Sequence, residues 1–169
     1  MNTQDRNQKK PFVFMEVAKL IAELSTCERK YVGAVIVRNG RCISWGYNGA
    51  PPGQPHCEEN FHGWDNSWEI ASAPEADRED MIRQTRQLLE EHGCRNATHA
   101  EANALAFAAR EGISTDGGTL FVTVSPCESC SRLIIAAGIT AVYYHEEYRD
   151  RSGLELLGRA HIGLTHTYA

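Results

Sequence analysis

Thr98-His99-Ala100-Glu101 and Ser125-Pro126-Cys127-Glu128-Ser129-Cys130 decide how this chain reads. A histidine, a glutamate two residues on, and a later Pro-Cys-x-x-Cys supply one imidazole, one carboxylate and two thiols. Zinc takes thiolate and neutral imidazole in a tetrahedral shell, and three protein ligands leave the fourth position open, as in catalytic sites. His99, Cys127 and Cys130 are the candidate ligands. Glu101 stands beside them as a proton carrier rather than a ligand. Cys127 and Cys130, at i and i+3, share one face of a helix. Pro126 suits the entry to that helix. The Ala- and Leu-rich run from Glu101 to Arg110 reads as a second helix, opened by His99. Both ligand groups then sit at helix N-termini, whose partial positive charge favours thiolate. A Cys-x-x-Cys alone would also fit a redox pair or half of a structural zinc site.

Working outward, Thr119 to Val124 is a strand that delivers the cysteine helix, and Gly117-Gly118 is the turn before it. Gly138 closes the helix as a residue just past its end, and Ile139 to Tyr144 is the next strand. Leu154 to Gly158 reads as a short helix, and Ile162 to Tyr168 as a last strand. Upstream, Tyr31 to Arg38 is a nearly all-apolar strand, buried on both faces. Asn39-Gly40 turns it into a hairpin with Arg41 to Gly46. Tyr47 to Gly53 is a loop by its turn residues. Phe12 to Leu24 reads as an amphipathic helix whose apolar face is Val13, Val17, Leu20, Ile21 and Leu24. Residues 1–10 read as a flexible tail. The stretch 54–98 is a long excursion: an irregular first half with Phe61, Trp64 and Trp68, then a helix with Met81, Ile82, Thr85, Leu88, Leu89 and His92 in a 3.6-residue rhythm. Strands alternating with helices after a hairpin predict an α/β fold built on a mixed sheet, with residues 11–169 as one domain.

Composition bounds the function. The chain has 169 residues, a formal net charge of −5 and six cysteines. No segment is apolar enough to span a bilayer. The polar start from Met1 to Lys10 lacks the apolar core of a signal peptide, so a cytoplasmic location is expected (host cytoplasm for a viral protein). Thiols stay reduced there, which favours metal and core roles over disulfides. No basic stripe marks a grip on a nucleic-acid polymer; Lys9-Lys10 and Arg29-Lys30 are short pairs. A small substrate is favoured.

His-x-Glu followed by Pro-Cys-x-x-Cys is the signature of the zinc nucleobase deaminases. The chain resembles the deoxycytidylate deaminases within the cytidine deaminase-like superfamily, over most of residues 12–150. The resemblance is carried by Val32-Gly33-Ala34-Val35-Ile36, Gly46-Tyr47-Asn48-Gly49-Ala50-Pro51, His99-Ala100-Glu101-Ala102-Asn103-Ala104 and Val122-Thr123-Val124-Ser125-Pro126-Cys127. The excursion and Phe107-Ala108-Ala109-Arg110 are similar to virus-encoded members. The resemblance implies a three-layer sandwich with a five-stranded mixed sheet flanked by helices. It implies hydrolysis of dCMP to dUMP and ammonia, with Glu101 moving the protons. It further implies a homo-oligomer, commonly a hexamer, activated by dCTP with Mg2+ and inhibited by dTTP through Tyr47, Asn48 and Gly49.

Substrate contacts implied by the resemblance fall on Asn48, Ala100, Ser125, Tyr148 and Arg110, the last with Phe107 near subunit contacts. Competing readings are a turn asparagine for Asn48, core or interface packing for Tyr148 and a solvated helix-end cation for Arg110. Similar viral proteins also carry a structural zinc. Cys27 and Cys57 match its cysteines, His92 is displaced from its histidine by a few residues, and its carboxylate position falls on Ala97, where Cys94 is a substitute. His56 and His62 are reserves, and free thiols are the alternative. Cys42 reads as a strand residue of the core. Rival functions are a deaminase for C5-substituted dCMP, a deaminase for a base in RNA or DNA, and a zinc module without catalysis, which would have no use for Glu101.

Overall fold

The computed structural model describes residues 3–27, 29–54, 56, 72–92 and 97–167. Five strands form one sheet in the order β2-β1-β3-β4-β5. These are β1 (Gly33–Arg38), β2 (Arg41–Tyr47), β3 (Thr119–Val124), β4 (Ala141–Glu146) and β5 (Gly163–His166). β1 pairs antiparallel with β2 and with β3, while β3–β4 and β4–β5 are parallel. The sheet is therefore mixed, as the hairpin followed by strand-helix-strand units requires. The hairpin turn is the expected one: Asn39 and Gly40 both have positive φ, 53° and 72°, the pair of conformations a two-residue turn needs to match the strand twist.

β1 begins at Gly33, two residues later than the apolar run suggests, because the preceding backbone is bonded elsewhere. The Val32 N–H donates to Asn48 Oδ1 at 2.8 Å and the Gly33 N–H to Thr123 Oγ1 at 3.1 Å. β4 is shifted two residues downstream of Ile139–Tyr144, since Ile139 and Thr140 belong to the turn that closes the preceding helix. The Gly138 N–H reaches the Ile135 carbonyl at 3.1 Å and the Ile139 N–H the Ile134 carbonyl at 3.3 Å, with Gly138 at φ 73°. That is a Schellman closure, with glycine at the left-handed position.

Side-chain alternation splits the sheet into two buried faces. Ala34, Ile36, Leu120, Val122, Val142 and Tyr144 point to one side. They meet α3 (Ala100–Arg110), α4 (Glu128–Ala136) and α5 (Ser152–Arg159) there. Val35, Val37 and Phe121 point to the other side and meet α1 (Thr3–Ala22). The result is three layers, helix–sheet–helix. It matches the expected α/β sandwich around a five-stranded mixed sheet.

α1 departs from its sequence reading in two ways. It is helical from Thr3, so residues 3–10 of the expected tail belong to the helix, with Pro11 inside it. Its buried face is also only partly the predicted one: of the five apolar residues expected inside, Val17 and Ile21 pack against the core. Met15, Ala18 and Ala22 pack on the sheet. Val13, Leu20 and Leu24, assigned to the core, are 56%, 63% and 51% exposed. Close approach explains the choice. A Cβ on Gly33 would lie 2.0 Å from the Ala18 carbonyl oxygen and 2.6 Å from the Ala22 nitrogen. Backbone meets backbone here, and only small residues allow it.

The chain divides into two compact units. One takes in residues 1–25, 31–48 and 99–169, the other 26–30 and 49–98. The second unit takes in the excursion, residues 49–53 of the loop before it and residues 26–30. It contains α2 (Glu75–His92), whose exposed Arg83 pairs with Asp80 at 2.8 Å. The expected irregular half with Phe61, Trp64 and Trp68 lies outside the described residues.

β2 carries α3 through a second close approach. A Cβ on Gly46 would sit 2.5 Å from the Ala104 nitrogen and 2.6 Å from the Ala100 oxygen. Ser44 adds a hydrogen bond, its hydroxyl donating to the Ala104 carbonyl at 2.6 Å. Gly46→Ala therefore forces α3 off the sheet. Overpacking of this kind costs about 1–3 kcal/mol, to be read as a lower urea midpoint.

Candidate active site

α3 and α4 begin side by side. His99 is the N-cap of α3 and Cys127 the N-cap of α4, and neither side chain bonds its own helix start. They turn to each other instead. His99 Nδ1 lies 3.4 Å from Cys127 Sγ and 3.4 Å from Cys130 Sγ. Cys130, three residues after the N-cap, comes round one turn to the same spot, as the i, i+3 spacing requires. His99 is exposed, Cys127 half-buried and Cys130 buried, so the cluster opens toward solvent on the histidine side.

The spacing fits a metal. Tetrahedral zinc with Zn–N near 2.05 Å and Zn–S near 2.3 Å puts nitrogen and sulfur roughly 3.5 Å apart. Both observed separations agree. Among the described residues, no fourth donor joins the three. The donor set is thus that of a zinc centre with one position left over.

Glu101 is 4% exposed and lies on the first turn of α3. Burial pushes its carboxyl up to about 7, against the lowering pull of its backbone hydrogen bond and of His99. The metal-free cysteines move apart. Cys127 is lowered, chiefly because Cys130 donates to it. Cys130 is raised because its proton is held in that bond and it is buried. Its hydrogen bond to Cys127 raises His99.

Supporting contacts set these groups in place. The Ser125 N–H donates to the Glu146 carbonyl at 2.8 Å, and the Tyr148 N–H donates to Ser125 Oγ at 2.8 Å. The half-buried Tyr148 is thereby tied to the residue that leads into the cysteine motif. A Cβ on Gly153 would come 2.1 Å from the Pro126 carbonyl oxygen, so α5 presses directly on that motif.

Asn48 is 8% exposed. Its Oδ1 accepts from the Val32 N–H at 2.8 Å and from the Ser25 hydroxyl at 2.7 Å. It staples the loop, a job beyond that of a turn asparagine. Gly49 pairs with Thr98, by N–H to carbonyl at 3.2 Å one way and 2.8 Å the other. This ties the loop to the residue just before His99. Tyr47 stacks on Trp45 with ring centroids 6.3 Å apart.

Asn103 has a role that spacing alone did not reveal. Its Nδ2 donates to the Tyr47 carbonyl at 2.7 Å, joining the histidine helix to the loop of Asn48. The available signal was its position one turn after His99, on the same face.

The predicted site residues do not all converge. His99, Ala100, Glu101, Cys127, Cys130, Ser125 and Tyr148 cluster around the two helix starts. Arg110 ends α3, nine residues beyond Glu101, which a 1.5 Å rise places roughly 14 Å away along the axis. Its guanidinium lies over the Phe107 ring at 4.7 Å and pairs with Glu111 at 3.1 Å. Within one chain it does not reach the cluster. Of the proposed second zinc set, Cys27 is buried and His56 exposed. Cys57, Cys94, His62 and the His92 side chain lie outside the described residues. Cys42 is exposed rather than in the core, because β2 is an edge strand.

Comparison with known proteins agrees with this geometry. Residues 8–146 match the family described as the cytidine and deoxycytidylate deaminase zinc-binding region. The deoxycytidylate deaminase of Enterobacteria phage T2 is 37% identical over 147 residues, covering 79% of this chain and 78% of that protein. That of Enterobacteria phage T4 is also 37% identical, covering 79% and 76%. The crystal structure of the cyanophage S-TIM5 dCMP deaminase, in complex with dCMP and dUMP, superposes with a TM-score of 0.69 at 29% identity, over 99% of each chain. A zinc-type ligand triad, a buried glutamate beside it and a sequence match across most of its length make this chain a member of the cytidine and deoxycytidylate deaminase family.

Proposed function

We propose that the chain catalyses zinc-dependent hydrolytic deamination of dCMP to dUMP, releasing ammonia and supplying dUMP for dTMP synthesis. The observation that carries this is the buried Glu101 carboxyl next to the His99–Cys127–Cys130 triad. The relatives named as deoxycytidylate deaminases and the S-TIM5 complex with dCMP and dUMP support the choice of substrate.

His99 Nδ1, Cys127 Sγ and Cys130 Sγ would hold the metal. A bound zinc supplies Lewis acidity, lowering the pKa of water toward neutrality. Glu101 then does the proton work. Its carboxylate would take a proton from the attacking water and hand it to N3 of the cytosine as the C4–O bond forms; it would then take the remaining proton of the new C4 hydroxyl and deliver it to the amino group, which leaves as ammonia as the C4–N bond breaks and C4=O forms. A buried carboxyl can both accept and return a proton, which suits both halves of this exchange. The Ala100 backbone, at the uncapped positive end of α3, suits the ring carbonyl. The backbone carbonyl of Ser125 would receive the amino group. Asn48, held by its Oδ1, would offer its amide to the sugar or base, and Tyr148 would pack near the base.

Regulation by dCTP with Mg2+ and by dTTP through Tyr47, Asn48 and Gly49 rests on the family resemblance alone, as do the hexamer, the second zinc and any role of Arg110 in a neighbouring subunit's site. The decisive assay follows ammonia release from dCMP, CMP, dCTP, 5-methyl-dCMP, tRNA and single-stranded DNA, with and without dCTP or dTTP. We expect dCMP to be turned over with the highest kcat/KM. Faster turnover of 5-methyl-dCMP would move the assignment to a C5-substituted substrate, and turnover of polymer only would reject it.

A further inference from the structure

We propose that Asn103 is a positioning residue for the substrate: its amide holds the Tyr47–Asn48 backbone against the helix that carries Glu101, and so sets affinity for the nucleotide. The inference rests on the reading of this site as one for a cytosine nucleotide. β2 is an edge strand. In an antiparallel pair, alternate residues turn their N–H and C=O toward the neighbouring strand. Asn48 faces that way, its N–H donating to the Val32 carbonyl at 3.1 Å. The Tyr47 carbonyl therefore faces outward, past the sheet edge. Asn103 meets it there, with Nδ2 donating at 2.7 Å. Packing aims the amide. A Cβ on Gly46 would lie 2.8 Å from Asn103 Cβ, so the side chain starts against the strand, one residue from the carbonyl it serves. Asparagine is a weak helix former because its amide competes for backbone groups. In α3 that amide is spent on a backbone group of the strand.

The held carbonyl matters because the Asn48 side chain belongs to the next rung of the ladder. In an unbroken rung the Val32 N–H would donate to the Asn48 carbonyl. It donates instead to Asn48 Oδ1 at 2.8 Å, and the Ser25 hydroxyl lies 2.8 Å from the Asn48 carbonyl. The orientation of the Asn48 amide thus follows the position of the backbone at 47–48. Asn103 fixes that backbone to α3, two residues beyond Glu101. Without the bond, the loop and its Asn48 amide can shift relative to Glu101. His99, Glu101, Cys127 and Cys130 stay where the two helix starts put them. A contact weakened equally in the ground state and the transition state raises KM and leaves kcat alone.

Steady-state kinetics of the zinc-loaded full chain on dCMP tests this, with zinc content and circular dichroism measured alongside. Asn103→Ala should raise KM about tenfold, the worth of one hydrogen bond, while kcat stays within about twofold and the zinc content matches the wild type. Asn103→Asp keeps the shape but sets an oxygen against the Tyr47 carbonyl, and should raise KM at least as much. In an Asn48→Ala background, Asn103→Ala should change KM by less than about twofold, since two residues that act through one contact are not additive. Amide hydrogen exchange of the substrate-free protein should show the Asn48 N–H exchanging faster in Asn103→Ala than in the wild type. An unchanged KM, a fall in kcat at constant KM, full additivity with Asn48→Ala, or an Asn48 amide as protected as in the wild type overturns the proposal. Should Asn48→Ala fail to fold, the KM–kcat split and the exchange rate of Asn103→Ala decide. A zinc-loaded wild type that deaminates no cytosine nucleotide overturns the underlying reading and this inference with it. An active wild type with an indistinguishable Asn103→Ala overturns the inference alone.

Discussion

Glu101→Gln should leave the metal bound and the fold intact while lowering kcat on dCMP by about 10²–10⁴-fold, the usual worth of a positioned acid–base group. Glutamine keeps the shape of the side chain and removes only the transferable proton. Zinc content by metal analysis should match the wild type. Normal turnover in the zinc-loaded variant would remove Glu101 from the mechanism. The substitution also has a stability signature. In the metal-free protein the carboxyl is raised to about 7 by burial. A raised acid binds its proton more tightly when folded, so its cost to stability is absent below the unfolded pKa near 4.5. That cost grows as pH rises through about 7. The wild-type metal-free protein should lose on the order of 3 kcal/mol across that window, at about 1.36 kcal/mol per unit. Glu101→Gln should show no such slope from this position. Urea midpoints of both proteins at pH 5 and pH 8 give the answer.

Cys130→Ala should cost the metal itself. The buried sulfur is one of three donors, and the remaining imidazole and thiol cannot replace the three-donor set. We expect zinc per chain to fall by one equivalent and dCMP turnover to fall to background. Chelation of the wild type should mimic the variant in activity. It should also lower thermal stability, because a ligand at about a thousand times its Kd contributes roughly 4 kcal/mol to the folded state. Cys130→Ala should then gain no stability when zinc is added back. An alanine variant that retains its full zinc content would place the metal elsewhere.

Much of the site was legible because its spacings are local. His99 and Glu101 lie two residues apart, and Cys127 and Cys130 lie three apart. Helix geometry alone then brings each pair to a helix start. The hairpin was legible for the same reason, since Asn39-Gly40 carries its own backbone preference. Arg110 was read from resemblance, and the length of α3 keeps it from the cluster in its own chain. The Asn103 bond to Tyr47 was not legible, because it joins residues 56 positions apart whose meeting depends on how α3 lies on β2.

The sequence by itself determined the ligand types, their order, the strands of the sheet and the turns between them, all of which follow from periodicity and short-range geometry. Only the tertiary structure decided which face of α1 is inside. Hydrophobicity favoured Val13, Val17, Leu20, Ile21 and Leu24, yet only Val17 and Ile21 of these pack against the core, beside Met15, Ala18 and Ala22. At Gly33 the helix backbone comes so near the strand that small side chains fit and large ones do not. Apolar character tells a residue to leave water; the distance between two backbones decides whether there is room for it.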